Sequence, residues 1–215
     1  MSLGFEHPFT CAIAGPTKSG KTYFVKQLLS ALPFYVYPCP KRIVWAYGVK
    51  NEEQMKLLRN SSVIPLEFVE GIPDLDMFSS ADENLLILDD LMKDAGKNSD
   101  IAEIFTKGCH HKNISVILIL QNLFHQGSKM RDIHTSTNYL ILFKNPRDKI
   151  QIKTLSHQVS PDNPKFLVDS YRKACKHPFS YIMFDFTQKT PDHWRVTSGI
   201  FPPEETFFVY RSDKK

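Results

Sequence analysis

The sequence predicts one α/β domain built on a mostly parallel sheet with helices on both faces. Three observations carry that reading. Apolar runs of strand length alternate with segments of helical periodicity, the first strand-to-helix turn has the pattern G-x-x-x-x-G-K-[ST] from Gly15 to Thr22, and two later apolar runs end in acidic or amide residues. Sheets of this kind bind ligands beyond the carboxyl ends of their strands, and the candidate site residues fall at those ends.

Residues 9–14 read as a short buried strand and residues 23–29 carry apolar side chains at helical spacing, so the glycine-containing turn lies between a strand and a helix. Pro33, Pro38 and Pro40 then break the chain ahead of a buried strand at 42–47, which Gly48 ends. Asn51 is placed to cap a short helix through Arg59, with Glu52 and Glu53 at its positive end. Residues 66–70 alternate as a half-buried strand does. The run 84–90 is continuously apolar until Asp89 and Asp90, which marks a central parallel strand. A helix from about 100 to 109 precedes the strand 115–120, closed by Gln121 and Asn122, and 139–143 is a further strand. Helices around 147–156 and 165–176 lead to short strands at 181–186 and 194–198, expected to extend the sheet as an antiparallel hairpin. The domain is expected to span 1–200, with 201–215 reading as a C-terminal tail.

With 215 residues, 42% hydrophobic and 12% aromatic, the chain suffices for one substantial core. No apolar stretch approaches the roughly 20 residues that span a bilayer, and residues 1–8 lack the layout of a secretory signal, so a soluble intracellular protein without a membrane partner is expected. Cys11, Cys39, Cys109 and Cys175 form no C-x-x-C pair, in keeping with reduced thiols. Cys109-His110-His111 reads as a basic helix end and not a metal cluster, because neighbours on a helix point in different directions. The balance of 27 Lys and Arg against 23 Asp and Glu permits nucleic-acid contact without requiring it.

Phosphate chemistry accounts for the residue types in Gly15, Pro16, Thr17, Lys18, Ser19, Gly20, Lys21 and Thr22. Gly15 and Gly20 allow backbone angles that a side chain would forbid, so consecutive N–H groups can curl around phosphate oxygens at the positive end of the next helix. Lys21 then reaches the β and γ phosphates, and the Thr22 hydroxyl is placed to ligate Mg2+, which makes ATP with Mg2+ the expected ligand. Asp89 and Asp90 have the form of the acidic strand end that completes such a site, with Asp89 assigned to the metal and Asp90 to the attacking water. Glu is the usual residue in that second place, and Asp90 is one methylene shorter. Gln121 closes the next apolar strand and reads as the polar sensor of the γ phosphate, which makes the fold a P-loop NTPase of the additional-strand (ASCE) class. An arginine from a neighbouring subunit would complete the charge stabilisation, with Arg131 the first candidate and Arg147 the second.

Residues 10–22, 85–90, 117–124 and 143–148 together resemble the viral genome-packaging ATPases of the FtsK–HerA superfamily, in particular those of Maverick/Polinton elements and adintoviruses and the related poxvirus-type enzyme. The likeness runs from about Phe9 to Val159, and its segments 121–124 and 144–148 are more specific than the phosphate loop. The resemblance implies an ATPase that forms a homo-oligomeric ring at a capsid portal and drives double-stranded DNA into a preformed shell, at the site of virion assembly in the host cell. Lys93, Lys97, Lys107, Lys112 and Lys129 would be available for salt-sensitive contacts to DNA phosphates. Two other classes share the loop motif. A nucleoside or nucleotide kinase needs an arginine-rich lid, of which no cluster is evident, and a nucleotide-gated scaffold with little turnover stays open because of the shorter Asp90. A GTPase would carry Asn-Lys-x-Asp, which is absent from the chain.

Overall fold

Alternate residues of a buried strand point to opposite faces of its sheet, and here both faces are sealed. The computed structural model describes residues 4–91, 98–105, 112–123, 133–201 and 207–212. The chain runs β1 (Phe5–Glu6), β2 (Thr10–Ala14), α1 (Lys21–Ser30), α2 (Leu32–Tyr35), β3 (Val36–Tyr37), β4 (Arg42–Tyr47), α3 (Glu52–Ser61), β5 (Leu66–Glu70), β6 (Asn84–Asp89), α4 (Asn98–Glu103), β7 (Ile114–Leu120), β8 (Tyr139–Phe143), α5 (Ile150–Val159), α6 (Pro164–Ala174), β9 (Tyr181–Asp185), β10 (Val196–Ser198) and β11 (Phe208–Val209). Even-numbered residues such as Ala12, Val44, Leu86, Leu118 and Leu140 enter one core, where Ile101, Phe105, Ile152 and Leu167 cover them. Odd-numbered residues such as Ile13, Trp45, Ile87, Ile117 and Ile141 enter the other, under Phe24, Val25, Leu28 and Leu29 of α1. Helices on both faces therefore follow from strands that are apolar on both sides.

Among the described residues the main sheet has nine strands in the order β11-β10-β9-β8-β2-β7-β6-β4-β5. From β8 to β5 all neighbours are parallel. The expected hairpin is present: β9 runs antiparallel to β8, and β10 antiparallel to β9. The decisive feature is β7, which is inserted between β2 and β6 as the additional-strand class requires. Its register places Leu120 opposite Ala14 on one side and Ile119 opposite Asp89 on the other, so three strand ends meet at one point.

Some boundaries differ from expectation for local reasons. The helix expected from 147 begins at Ile150, because the Asn145 side chain accepts hydrogen bonds from the amides of Arg147 at 3.1 Å and Asp148 at 3.2 Å and holds them in a turn. Asn51 caps α3 as expected, accepting from the Gln54 amide at 3.1 Å. Residues 201–215, read as a tail, contribute a buried Phe201 and the edge strand β11, which pairs antiparallel with β10. Strands β1 and β3 form a small parallel sheet that no periodicity announced, since two residues each carry no pattern. It is anchored by the rings of Phe5, Phe9 and Tyr139, whose centroids lie 4.9 to 5.7 Å apart. No helix among the described residues is long and apolar enough to cross a membrane.

Candidate active site

The phosphate loop begins where β2 ends. Gly15 N–H donates to the Leu120 carbonyl at 3.2 Å, which ties the loop to the end of β7. Ser19 N–H donates to the Pro16 carbonyl at 3.2 Å, and positive φ angles at Lys18 (63°) and Gly20 (105°) turn the chain into α1. Gly20 is the N-cap of α1, and no side chain accepts from the first amides of that helix, which leaves them to an anion. The two glycines serve different ends. Gly20 supplies the left-handed angle, whereas Gly15 is absent from the positive-φ residues and is required by close approach instead. A Cβ at position 15 would lie 2.7 Å from the Cβ of Phe143 and 2.9 Å from the Ser19 hydroxyl. Beneath the loop that hydroxyl is buried and has no hydrogen-bond partner in the protein.

Lys21, the first residue of α1, is only 9% exposed. Its ammonium donates to the carbonyls of Gly15 at 2.7 Å and Pro16 at 2.9 Å. Burial pulls its pKa below the ordinary lysine value, opposed by the charges of Asp89 and Asp90. Asp89 ends β6 and has its carboxyl pushed above the usual carboxylate range by burial. The Gln54 side-chain amide, which donates to Asp89 Oδ2 at 3.2 Å, opposes that rise, Asp90 adds to it, and Lys21 opposes it. Asp90 leaves the strand with φ of 54°, a left-handed setting that aspartate tolerates better than most residues. Gly48 backs this turn, since a Cβ there would meet the Asp90 carbonyl oxygen at 2.7 Å. Gln121 Nε2 donates to Asp90 Oδ1 at 3.1 Å.

These groups line one cleft, shared by Thr17, Lys18, Lys21 and Thr22 of the loop, Asp89, Asp90 and Gln121 of the strand ends, Val49 and Asn51 of the β4–α3 connection, and Gln54 of α3. The donor set fits a triphosphate with a hard divalent cation. Helix-start amides and an ammonium suit phosphate oxygens, and Thr22 with Asp89 offers the oxygen ligands that Mg2+ takes. The structure thus brings Lys21, Thr22, Asp89, Asp90 and Gln121 together as read from the sequence.

Other expectations fare differently. Arg131, Lys93, Lys97, Lys107, Lys129 and the Cys109-His110-His111 run lie outside the described residues. Arg147 is exposed in the turn after β8, at the loop end of the sheet, but does not line the cleft. Lys112 precedes β7 at the end of the sheet opposite the cleft, where it pairs with Asp76 at 2.9 Å. Sequence reasoning passed over Gln54 and Val49, and read Asn51 as a helix cap and not as part of the cleft. A signal existed: a helix following a parallel strand starts at the ligand end of the sheet, and Gln54 lies on its first turn.

Comparison with known proteins agrees with this geometry. The family model described as poxvirus A32 protein matches residues 2–168. No individual curated protein matches. Among solved structures, B204, the DNA-packaging ATPase from Sulfolobus turreted icosahedral virus, is similar with a TM-score of 0.56 and 14% identity over 96% of this chain and 98% of that one. The cytoplasmic domain of EssC is similar over 72% of this chain and 35% of its own, with a TM-score of 0.52 and 13% identity. At such identities these likenesses bear on the fold, which both share with a P-loop ATPase core. The family match rests on the sequence itself and spans the loop, both carboxylates and Gln121: the chain belongs to the poxvirus A32 protein family.

Proposed function

We propose that this chain is an ATP-hydrolysing motor that moves double-stranded viral DNA into a preformed capsid. The observation that carries the reading is the insertion of β7 between β2 and β6, which sets Gln121 against Asp90 beside the phosphate loop. Nucleotide binding alone needs no amide aimed at the second carboxylate. Hydrolysis does, because a general base must be oriented before it can take a proton. Family membership, and the DNA-packaging role of the similarly folded B204, support DNA as the cargo.

In this mechanism the loop amides and the Lys21 ammonium bind the triphosphate, with Lys21 exchanging the Gly15 and Pro16 carbonyls for phosphate oxygens. Thr22 and Asp89 would hold Mg2+, which when bound neutralises charge on the β and γ oxygens. Gln54 keeps the Asp89 carboxylate in place. Asp90 accepts the proton of the attacking water while Gln121 fixes the orientation of its carboxylate. An arginine of the adjacent subunit in a homo-oligomeric ring, Arg131 ahead of Arg147, stabilises the charge that develops on the transferred phosphoryl group. Basic loops grip the DNA backbone without reading its sequence. Capsid or portal protein anchors the ring where virions assemble in the host cell.

The test is ATPase rate with and without duplex DNA, measured on species of known native mass. Mg2+-dependent hydrolysis that duplex DNA accelerates and Lys21→Ala abolishes is expected. Mixing inactive Arg131→Ala with inactive Lys21→Ala subunits should restore turnover, since each supplies what the other lacks. Nucleotide binding without hydrolysis in every oligomeric state would replace the motor with a nucleotide-gated scaffold.

A further inference from the structure

The triphosphate cleft ends at the carboxylates, and the chain's phosphate loop has a second side. Lys18, Lys21 and Thr22 also line a neighbouring cavity, closed by Ser19, Gly20, Tyr23 and Phe179. With the γ end of a nucleotide directed to Asp89 and Asp90, its other end leads away from them, and this cavity carries no carboxylate. We propose that it is the nucleobase subsite, with a purine ring stacked on Phe179 and bordered by Tyr23. The assignment rests on the reading of the loop as a triphosphate site.

Phe179 is placed as a contact surface would be. It is 69% exposed, so it contributes little to the core. Its φ is 61°, in a turn where it follows Pro178, a position that ordinarily belongs to Gly or Asn. A bulky residue held in that region is strained, and such strain collects at ligand clamps. The turn is nevertheless tightly fixed. Ser180 Oγ donates to the His177 carbonyl at 2.6 Å, Lys144 N–H to the Ser180 carbonyl at 3.0 Å, and Lys144 Nζ to the Lys176 carbonyl at 2.8 Å. The root of the ring sits against the phosphate loop, since a Cβ at Gly20 would lie 3.5 Å from the Phe179 Cβ. Tyr23 follows Thr22 directly and is 60% exposed, giving the cavity a second aromatic border. Two exposed rings beside a phosphate cradle match the chemistry of a flat base, for which stacking contributes affinity without hydrogen-bond readout.

The test is calorimetric titration of the full chain with ATP and, separately, with inorganic triphosphate, both with Mg2+. Phe179→Gly suits the backbone angle and keeps the turn, so folding is retained. This variant should lose ATP affinity by about tenfold or more, the scale of one aromatic–base stack, while binding inorganic triphosphate like the parent. Phe179→Tyr should keep both affinities, and Tyr23→Ala should weaken ATP alone. Unchanged ATP affinity in Phe179→Gly, or equal loss for both ligands, would overturn the base subsite and leave Phe179 a structural prop. A parent chain that binds neither ligand would bring down the phosphate site and this subsite with it, whereas triphosphate binding with no gain from the adenosine moiety would sink the subsite alone.

Discussion

Replacing Gly15 with alanine isolates the reason the loop begins with glycine. The added Cβ would sit 2.7 Å from Phe143 Cβ, about 0.7 Å short of ordinary contact at 3.4 Å. Phe143 Cβ is bonded to the backbone of β8, a strand paired to β2 from Cys11 to Ala14, so it has no rotamer by which to escape. Its ring is held as well, against Phe24 at 6.2 Å and Tyr181 at 5.5 Å between centroids. Overpacking of this kind costs about 1–3 kcal/mol, which for a chain of this size lowers the melting temperature by roughly 2–12 °C. The loop is the softer partner and yields first, carrying its amides away from the phosphates. A displacement on the order of 1 Å can cost about a hundredfold in rate. Gly71→Ala is the control, because Gly71 has φ of 76° and no heavy atom lies within 4 Å of the place its methyl group would take. That change costs about 1–2 kcal/mol through backbone conformation alone. Thermal melts and ATP titrations on both variants should give comparable losses of stability, with loss of nucleotide affinity and turnover only in Gly15→Ala. Wild-type melting and affinity in Gly15→Ala, or an equal loss of affinity in Gly71→Ala, would refute the close-approach argument.

Three further outcomes follow from the same geometry. Asp89→Asn should melt higher than the parent at pH 7 while abolishing Mg2+-dependent hydrolysis: the folded-state pKa of Asp89 is raised, so its favourable contribution is present below the ordinary carboxylate value and is lost as pH rises through the raised one. The gain should therefore shrink in melts taken toward about pH 4, and a lower melting temperature for Asp89→Asn at pH 7 would contradict the buried-charge argument. Gln54→Leu removes the amide that donates to Asp89 Oδ2 and should raise the Mg2+ concentration for half-maximal ATPase rate several-fold, with an unchanged Mg2+ titration counting against it. Gln121→Leu releases the Asp90 carboxylate from its orienting amide and should slow single-turnover hydrolysis by about 10- to 100-fold at unaltered ATP affinity, and a loss of affinity without a loss of rate would reverse that assignment.

Much of the fold was legible because strand and helix periods are local. The runs 42–47 and 139–143 were readable to the residue, since each is apolar on both faces and bounded by polar or turn residues. Strand order is different, because no single strand encodes its neighbours. The place read for Gln121, at the end of a strand inside the sheet, depended on where β7 inserts, and the pairings of Leu120 with Ala14 and Ile119 with Asp89 put it between β2 and β6. Gln54 was illegible because a glutamine on the first turn of a largely polar helix looks like any solvated residue until the helix is set beside β6. Gly15 was legible by pattern but not by cause, since the motif names the residue while Phe143, far away in sequence, supplies the reason.

Several residues that defy local rules share one location. An ammonium that burial disfavours, a carboxyl pushed up by burial, an aspartate and a lysine in left-handed conformation and a buried hydroxyl without a partner all sit within the loop or on the strand end facing it. Each is unfavourable taken alone, on the order of 1–3 kcal/mol for a strained backbone position or an unsatisfied buried group. Two cores of aliphatic and aromatic side chains, one on each face of the sheet, are what hold such a site in shape. The local exceptions are also chemically consistent with one another. Lys21 suits anionic oxygen, Asp89 and Asp90 suit a cation, and a triphosphate carrying a divalent metal supplies both at once. A sheet edge that merely tolerated strain would have no cause to match its demands by sign across one cleft, and that matching is the physical ground for reading this one as a site of phosphoanhydride chemistry.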